Sequence, residues 1–162
     1  MKRTIFILLL AFSLGASAAG KSGFINSKLL LEKSPQAIAA NQQLQSQFGG
    51  REQSLRKLAQ EIKQMEETFK NDSAIMSEEQ KQKAQDNIVQ NKRRFQFEQQ
   101  SLKEDLQSKQ RELLKNVQLE IREAIQAYGS KNGFEFIFTD ASIAYASEAA
   151  DITDEVLLEL QK

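Results

Sequence analysis

The stretch FGGREQSLRKLAQEIKQMEETF, residues Phe48–Phe69, decides the architecture of this chain, because its apolar side chains recur every seven residues. One row of this heptad pattern consists of Phe48, Leu55, Ile62 and Phe69. The second row, offset by three or four residues, consists of Leu44, Arg51, Leu58 and Met65, and only Arg51 is charged. Two apolar positions per seven, with Lys, Gln and Glu elsewhere, are typical of a helix that forms a coiled coil.

This first helix is predicted to begin at Ser34-Pro35, with Ser34 as the N-cap and Pro35 in the first helical position. Residues 70–77 interrupt the heptad pattern and are predicted to form the turn of a helical hairpin. The sequence Ser77-Glu78-Glu79-Gln80 then restarts a helix with a capping-box pattern. The two helices are expected to be on the order of 50 Å and 75 Å long, at 1.5 Å per residue.

The returning helix is predicted to end near Tyr128, with Gly129 as the residue that follows its C-cap. Its apolar residues recur at alternating steps of seven and four: Phe95, Leu102, Leu106, Leu113, Val117, Ala124 and Tyr128. Such an 11-residue repeat favours a nearly straight course. Between Ser77 and Arg94 only three residues are hydrophobic, so residues 35–129 are expected to project into solvent as an arm.

The remaining apolar residues lie at the two ends of the chain, which a hairpin brings together. Three short strands are predicted, at about 23–26, 134–139 and 143–146, followed by a helix with Asp151 or Thr153 as its N-cap. The fold class is therefore predicted as α+β and mostly helical, with a long antiparallel helical hairpin on a small β body built from residues 19–34 and 130–162.

So small a β body is expected to need oligomerisation for its stability. The residues predicted to form the contact between subunits are aromatic or branched aliphatic and belong to the predicted strands. They are Phe24, Ile25, Phe134, Phe136, Ile137, Phe138 and Tyr145.

The N-terminus has the features of a cleaved secretory signal peptide, predicted at residues 1–18. Lys2 and Arg3 precede the apolar run 5–14, and Ala16-Ser17-Ala18 is an A-x-A site. Cleavage would leave 20 Lys and Arg against 22 Asp and Glu, so no global positive charge indicates nucleic-acid binding. With no Cys, the exported chain would have no disulfides and no lipid-modified cysteine.

The residue types that catalysis usually requires are missing from recognisable patterns. The 162 residues include no His and no Cys, and neither a G-x-S-x-G nor a phosphate-binding glycine loop occurs. Adjacent carboxylates such as Glu66-Glu67 and Glu104-Asp105 point about 100° apart on a helix, so they do not share a site. We therefore predict that the protein is not an enzyme and has no cofactor or metal.

Three groups of residues on the predicted arm are candidates for function, each beside a purely structural alternative. Gly49-Gly50 is either a hinge or a tolerated interruption, since each Gly costs a helix roughly 1 kcal/mol relative to Ala. The cluster Lys92-Arg93-Arg94 is either a solvated helix face or a contact for anionic lipid or acidic client segments. Candidate contacts for apolar client segments, or else hairpin packing, are Met65, Phe69, Ile75, Met76 and Ile88.

Several segments of the sequence resemble the Skp/OmpH family of periplasmic chaperones, over nearly the whole mature chain. The matching segments are Gly23-Phe24-Ile25-Asn26, Phe48-Gly49-Gly50-Arg51-Glu52 with Leu55, Phe95 with Phe97, Phe136-Ile137-Phe138-Thr139-Asp140-Ala141, Ala144-Tyr145-Ala146 and Asp151-Ile152-Thr153-Asp154-Glu155-Val156. The resemblance implies a periplasmic homotrimer whose three hairpins surround a cavity. In that cavity, unfolded outer-membrane β-barrel proteins would be held without ATP.

The resemblance also implies contact with lipopolysaccharide or anionic lipid, as in some family members. Many members have a strongly basic cavity, whereas this mature chain is nearly neutral, a departure that bears on electrostatic capture of clients. Two alternatives to a holdase chaperone stay open. One is an exported coiled-coil adaptor of the cell envelope, and the other is a lipid or lipopolysaccharide binder that uses Lys92-Arg93-Arg94.

Overall fold

The computed structural model describes residues 20–162, so the predicted signal peptide lies outside the described residues. The α+β, mostly helical class is confirmed. The principal elements are β1 (Lys21–Ile25), α1 (Ser27–Lys33), α2 (Pro35–Asp72), α3 (Glu78–Lys131), β2 (Phe134–Thr139) and α4 (Thr153–Glu159). Two single turns of 3-10 helix, at Ser73–Ile75 and Glu148–Ala150, complete the described chain.

The long helices α2 and α3 form the predicted antiparallel hairpin. They contain 38 and 54 residues, which corresponds to about 57 Å and 81 Å. The Ser34 hydroxyl accepts a hydrogen bond from the Ala37 amide at 3.2 Å, as an N-cap does. At the turn, the Gln80 amide donates to Ser77 Oγ at 3.3 Å, and the Ser77 amide donates to Gln80 Oε1 at 2.9 Å. Both predicted helix starts are confirmed.

The heptad seam is also present, and its one charged position makes an interhelical ion pair. The side chains buried between the helices come from both heptad rows of α2 and from the 11-residue pattern of α3: Phe48, Leu58, Ile62, Leu102, Leu113 and Val117. Arg51 lies at the edge of the seam, where Nη1 donates to Asp105 Oδ2 at 2.7 Å and Nη2 donates to Ser101 Oγ at 3.2 Å. The guanidinium therefore joins α2 to α3 without entering the apolar interior.

The predicted end of α3 at Gly129 is wrong. Gly129 is helical and buried, and a Cβ built on it would lie 2.9 Å from Ile137 Cδ1. An added Cβ would require the flexible end of the Ile137 side chain to move, so the glycine allows close packing against Ile137 and does not end the helix. The helix ends at Lys131 with Asn132 as C-cap, and Gly133 (φ +69°) adopts the left-handed conformation that follows it.

The strands β1 and β2, which the hairpin brings to one place, pair in parallel. Gly23 faces Ile137, Phe24 faces Phe138 and Ile25 faces Thr139. Parallel pairing needs a long crossover connection, and here the whole arm is that connection. The register shifts between Lys21 and Ser22, which face Phe134 and Phe136, so Glu135 is the extra residue of a bulge.

The third predicted strand, residues 143–146, is wrong for the described chain, because these residues have no strand structure. The Ser142 amide donates to the Thr139 carbonyl at 2.9 Å and turns the chain away from the sheet. The edge of β1 that faces away from β2 instead meets Asp151, and the Ile152 amide donates to the Phe24 carbonyl at 2.9 Å. That edge of β1 is therefore occupied, while the outer edge of β2 has no strand partner within residues 20–162.

The hydrophobic core of the body lies where the base of the arm meets both ends of the chain. Its buried members come from β1, α1, α2, α3 and the C-terminal segment: Ile25, Leu30, Ala37, Val117, Ile121, Ile152, Val156 and Leu160. Residues 35–40 and 117–128 contribute to this core as well as to the arm. Any movement of the arm base is thus coupled to the packing of the body.

Hydrogen bonds between sequence-distant residues close the body around this core. The Asn26 amide donates to Thr153 Oγ1 at 2.9 Å, and Gln36 Nε2 donates to the Leu160 carbonyl at 2.8 Å. The helix α4 has Ile152 as its N-cap, whereas Asp151 or Thr153 was expected. Asp151 still accepts the Thr153 amide at 2.9 Å, so its carboxylate caps from one position earlier.

Asp140 links the end of β2 to the start of α1. The Ser27 hydroxyl and the Ser27 amide both donate to Asp140 Oδ1. These bonds hold the pKa of Asp140 below its ordinary value, the hydroxyl bond having the larger effect. A lowered pKa means that the link is present at neutral pH and is lost as the pH falls through the folded-state value.

Replacing Ile121 by Ala should lower the stability of the body by about 2 to 4 kcal/mol, because it empties volume in the core. Leu119, two residues earlier on α3, is 43% exposed, so Leu119→Ala should cost less than about 1 kcal/mol. Urea unfolding at a fixed protein concentration compares the two variants. If both variants lose the same free energy of unfolding, the assignment of Ile121 to the core is wrong.

Candidate functional site

A shallow apolar groove lies between α2 and α3 near the tip of the arm, and we call it the tip groove. Its volume is about 320 Å³. The residues that line it are Glu61, Gln64, Met65, Thr68, Phe69, Met76, Ala84, Asn87 and Ile88. Four of the five candidate client-contact residues, Met65, Phe69, Met76 and Ile88, therefore come together. The fifth, Ile75, lies in the turn and is 87% exposed.

The position of the tip groove follows from the two helices and the turn that joins them. Met65 and Phe69 are the last seam residues of α2, Met76 follows the 3-10 turn, and Ile88 comes from the third turn of α3. Ala84 also lines the groove, although sequence analysis did not select it as a contact. Ala84 lies four residues before Ile88, and residues four apart lie on one helix face. This spacing could have identified Ala84 as a groove residue from the sequence.

The basic cluster Lys92-Arg93-Arg94 is partly neutralised by neighbouring carboxylates. Lys92 forms an ion pair with Glu66 across the hairpin, and Arg94 Nε donates to Glu98 Oε1 at 2.7 Å. The hydrogen bond that Arg94 donates to Glu98, and then the negative charge of Glu98, raise the pKa of Arg94 above its ordinary value. Arg93 is exposed, and none of the ion pairs found within residues 20–162 includes it.

Gly49 and Gly50 lie in the middle of α2, which continues through them without a break. A Cβ added at either position would meet nothing within 4 Å. A cleft of about 310 Å³ beside Gly49, lined also by Leu44 and Leu106, separates α2 from α3 at this level. The glycines are thus not needed for close packing, and the hinge stays a prediction. Because α3 is unbroken opposite them, any swing must bend α3 too.

The body leaves the side chains of Phe136, Phe138 and Tyr145 exposed, and we call the stacked pair Phe136 and Phe138 on β2 the aromatic face. Phe136 is 58% exposed and Tyr145 83% exposed, and the rings of Phe136 and Phe138 stack with centroids 6.1 Å apart. Strict alternation would place Phe134, Phe136 and Phe138 on one side of β2. The bulge at Glu135 instead turns Phe134 toward the core.

The other residues predicted for subunit contact lie closer to the interior of the protomer. Ile25 is 1% exposed and belongs to the core. Phe134 packs against Tyr128 with ring centroids 5.9 Å apart, and Lys21 Nζ lies 4.0 Å from the centroid of Phe134. Phe24 is half-buried, and Ile137 approaches Gly129. Within a protomer these residues support the strand that carries the aromatic face.

No helix within residues 20–162 combines the length and the apolar composition that a membrane-spanning segment requires. The same part of the chain contains no group of three or more His, Cys, Asp or Glu arranged to hold a metal ion.

The fold is thus a small α+β body that carries a long antiparallel helical hairpin, and the body has an exposed aromatic face. The family model described as "Outer membrane protein (OmpH-like)" matches residues 21–160. The chain therefore belongs to the OmpH-like family, and the resemblance inferred from the sequence is confirmed.

Similar proteins match over nearly their whole length. The chaperone protein Skp of Pectobacterium atrosepticum is 24% identical over 154 residues, which cover 95% of this chain and 93% of that protein. The Skp-like protein of Pseudomonas aeruginosa is 24% identical over 159 residues, covering 96% and 95%. The crystal structure of an OmpH-like outer membrane chaperone from Caulobacter crescentus has a TM-score of 0.75 at 15% identity, covering 88% and 85%. That structure shares the fold.

The double substitution Gly49→Ala and Gly50→Ala should stiffen the arm and stabilise α2 by up to about 1 kcal/mol per residue. No clash opposes it, since the added Cβ atoms meet open space. Because the chain has no Cys, spin labels on Asn71→Cys and Glu148→Cys would report the distance from tip to body. Labelled chains would be diluted in unlabelled ones.

We expect a narrower distance distribution in the double Ala variant. The matched control, Gln47→Ala with Gln53→Ala, changes residues that flank the glycines and should leave the width as in the parent. A width that is unchanged in both variants would end the hinge hypothesis.

Proposed function

We propose that this protein is an ATP-independent periplasmic holdase chaperone. It binds unfolded outer-membrane β-barrel proteins and prevents their aggregation on the way to the outer membrane. The observation that carries the proposal is a long arm with shallow, solvent-open grooves along α2 and α3, in a chain whose OmpH-like relatives are chaperones. Such relatives also support a non-enzymatic role.

Client retention by such an arm depends on many weak contacts. The grooves between α2 and α3 have volumes of about 320, 360 and 310 Å³. The first two are lined mainly by apolar side chains, whereas polar side chains predominate in the third. None is a closed pocket for one ligand. Several arms around a shared space raise the effective concentration of these contacts, so an unfolded chain is retained although each contact is weak.

The charge balance favours contacts of this kind over electrostatic capture. The mature chain is nearly neutral, and exposed ion pairs such as Arg51–Asp105 and Lys92–Glu66 join basic to acidic groups on the arm. A neutral surface generates no long-range field that steers an acidic client. In this family member, we propose that apolar contacts and hydrogen bonds contribute most of the affinity for an unfolded client.

A homotrimer is the proposed assembly, with the aromatic face at its centre. In one protomer the large aromatic side chains of Phe136, Phe138 and Tyr145 are exposed to solvent on a small body. Exposed apolar surface of this kind marks a site of interaction with another protein. In addition, one edge of β2 has no strand partner within residues 20–162, and an unpaired strand edge is a template for another chain. Pairing between sister chains would cover both features.

Binding of lipopolysaccharide or anionic lipid is a weaker second candidate. Two of the three cations in Lys92-Arg93-Arg94 already contact carboxylates, so Arg93 alone has its full charge available. One exposed arginine contributes about 1 kcal/mol to attraction by an anionic membrane surface. The exported adaptor is weaker still, because adaptors with helical hairpins usually have larger β domains than this body.

Diluting a urea-unfolded outer-membrane β-barrel protein into buffer tests the proposal directly. The mature protein should suppress the rise of light scattering without added nucleotide, because arms around the client keep client molecules apart. Bovine serum albumin at equal mass is the control for unspecific crowding. A client that aggregates equally fast in both samples would refute the holdase function.

The variant Phe136→Glu should abolish trimerisation and holdase activity together. A charge buried in the subunit interface costs roughly 2 kcal/mol or more, whereas the exposed position leaves the protomer fold intact. Analytical ultracentrifugation and the scattering assay are the measurements.

Phe97→Glu is the matched control, since Phe97 is 75% exposed but lies on the arm. It should leave the sedimentation coefficient of the assembly unchanged. A Phe136→Glu protein that still sediments as a trimer would place the subunit contact elsewhere.

A further inference from the structure

All sulfur atoms of the mature chain lie at one place on the arm. The sequence contains three Met and no Cys, and Met1 precedes the predicted cleavage site. Met65 and Met76 remain, and both line the tip groove. The chain also has no Trp and no His. Oxidants that attack sulfur therefore find their targets at the tip alone.

Both thioethers are accessible to a small molecule. Met65 and Met76 are half-buried, and the tip groove between them is about 320 Å³ in volume. Asn91 Nδ2 lies 3.9 Å from Met65 Sδ, but it also donates to the Asn87 carbonyl at 2.9 Å and to Asn87 Oδ1 at 2.8 Å, so the sulfur has no strong hydrogen bond that would shield it from an oxidant.

We propose that Met65 and Met76 form one oxidation site, which makes the tip of the arm sensitive to peroxide. A lone pair of the thioether sulfur attacks one oxygen of hydrogen peroxide, and the O–O bond breaks. The sulfur keeps that oxygen as a sulfoxide and is oxidised by two electrons, while the other oxygen leaves as water. No metal or cofactor takes part.

The sulfoxides weaken the tip because few other apolar contacts hold it together. The groove contains only three further apolar side chains, Phe69, Ala84 and Ile88. A sulfoxide is polar and chiral, whereas the thioether is flexible and apolar. Oxidation therefore converts two of the five apolar side chains of the groove into polar ones, and α2 and α3 separate more easily near the turn.

Client binding should be affected by the same change, and this part of the inference rests on the proposed holdase function. An apolar client segment loses two of its five apolar contacts at each tip once the thioethers are oxidised. Two thiols of a methionine sulfoxide reductase return each sulfoxide to the thioether, the oxygen leaving as water and the thiols becoming a disulfide, so the modification is reversible.

The first experiment treats the mature, assembled protein with hydrogen peroxide and maps the products by peptide mass spectrometry. We expect one added oxygen each on Met65 and Met76. Hydrogen exchange of residues 62–92 should then accelerate about threefold to tenfold, and that of the body should not change. If either methionine stays unmodified, or if both are oxidised and tip exchange is unaltered, the proposal is overturned.

The double variant Met65→Leu with Met76→Leu is the matched control, because Leu has nearly the volume of Met and no sulfur. Its tip exchange should be the same before and after peroxide. An equal acceleration in this variant would overturn the proposal. The variant Met65→Gln with Met76→Gln imitates the polar groove without any oxidant and should show the faster exchange from the start.

The scattering assay separates this inference from the proposed function. We expect untreated protein to hold the client, peroxide-treated protein to hold it less well, and the treated Leu variant to hold it fully. If untreated protein fails, the holdase function is refuted and the exchange data still decide the oxidation site. If treated and untreated protein hold the client equally well, the effect on clients is refuted.

Discussion

The parallel pairing of β1 with β2 is the constraint on which the rest of the structure depends. Gly23 lies opposite Ile137 although the entire arm separates them along the chain. The hydrogen bonds between the strands form only if α2 and α3 leave the body and return to it. The core of the body is assembled at the same place, so Ile25 and Val156 are buried together with Ile121 of the arm base.

In this arrangement most of the stabilising contacts of buried side chains lie in the body, and the arm has fewer of them. The body has the fully buried side chains, such as Leu30 and Val156, and the hydrogen bonds that close it. The arm has a narrow seam whose gaps are open to solvent. Local opening is easiest where few apolar contacts are buried, so the body is expected to be rigid and the tip mobile. The proposed holdase function needs this distribution, since the arm would have to adapt to many unfolded clients.

Neutral electrostatics distinguish this member from the basic pattern that the family resemblance implies. The interhelical pairs Arg51–Asp105 and Lys92–Glu66 are exposed, and such pairs are worth at most about 1 kcal/mol each. Their main consequence is that the arm surface has little uncompensated charge. The grooves and the long polar side chains are then the features through which the arm contacts other molecules.

The sequence by itself determined the hairpin, since a heptad row from Phe48 to Phe69 and the caps at Ser34 and Ser77 act locally. Only the tertiary structure decided the body. The prediction that α3 ends at Gly129 was wrong because this glycine packs against Ile137 inside the helix. The strand predicted at residues 143–146 was wrong because the turn from Thr139 to Ser142 directs the chain away from β2. The aromatic face depends on a bulge opposite Lys21. Local patterns report propensity, whereas contacts between the two ends of the chain depend on how the arm brings them together.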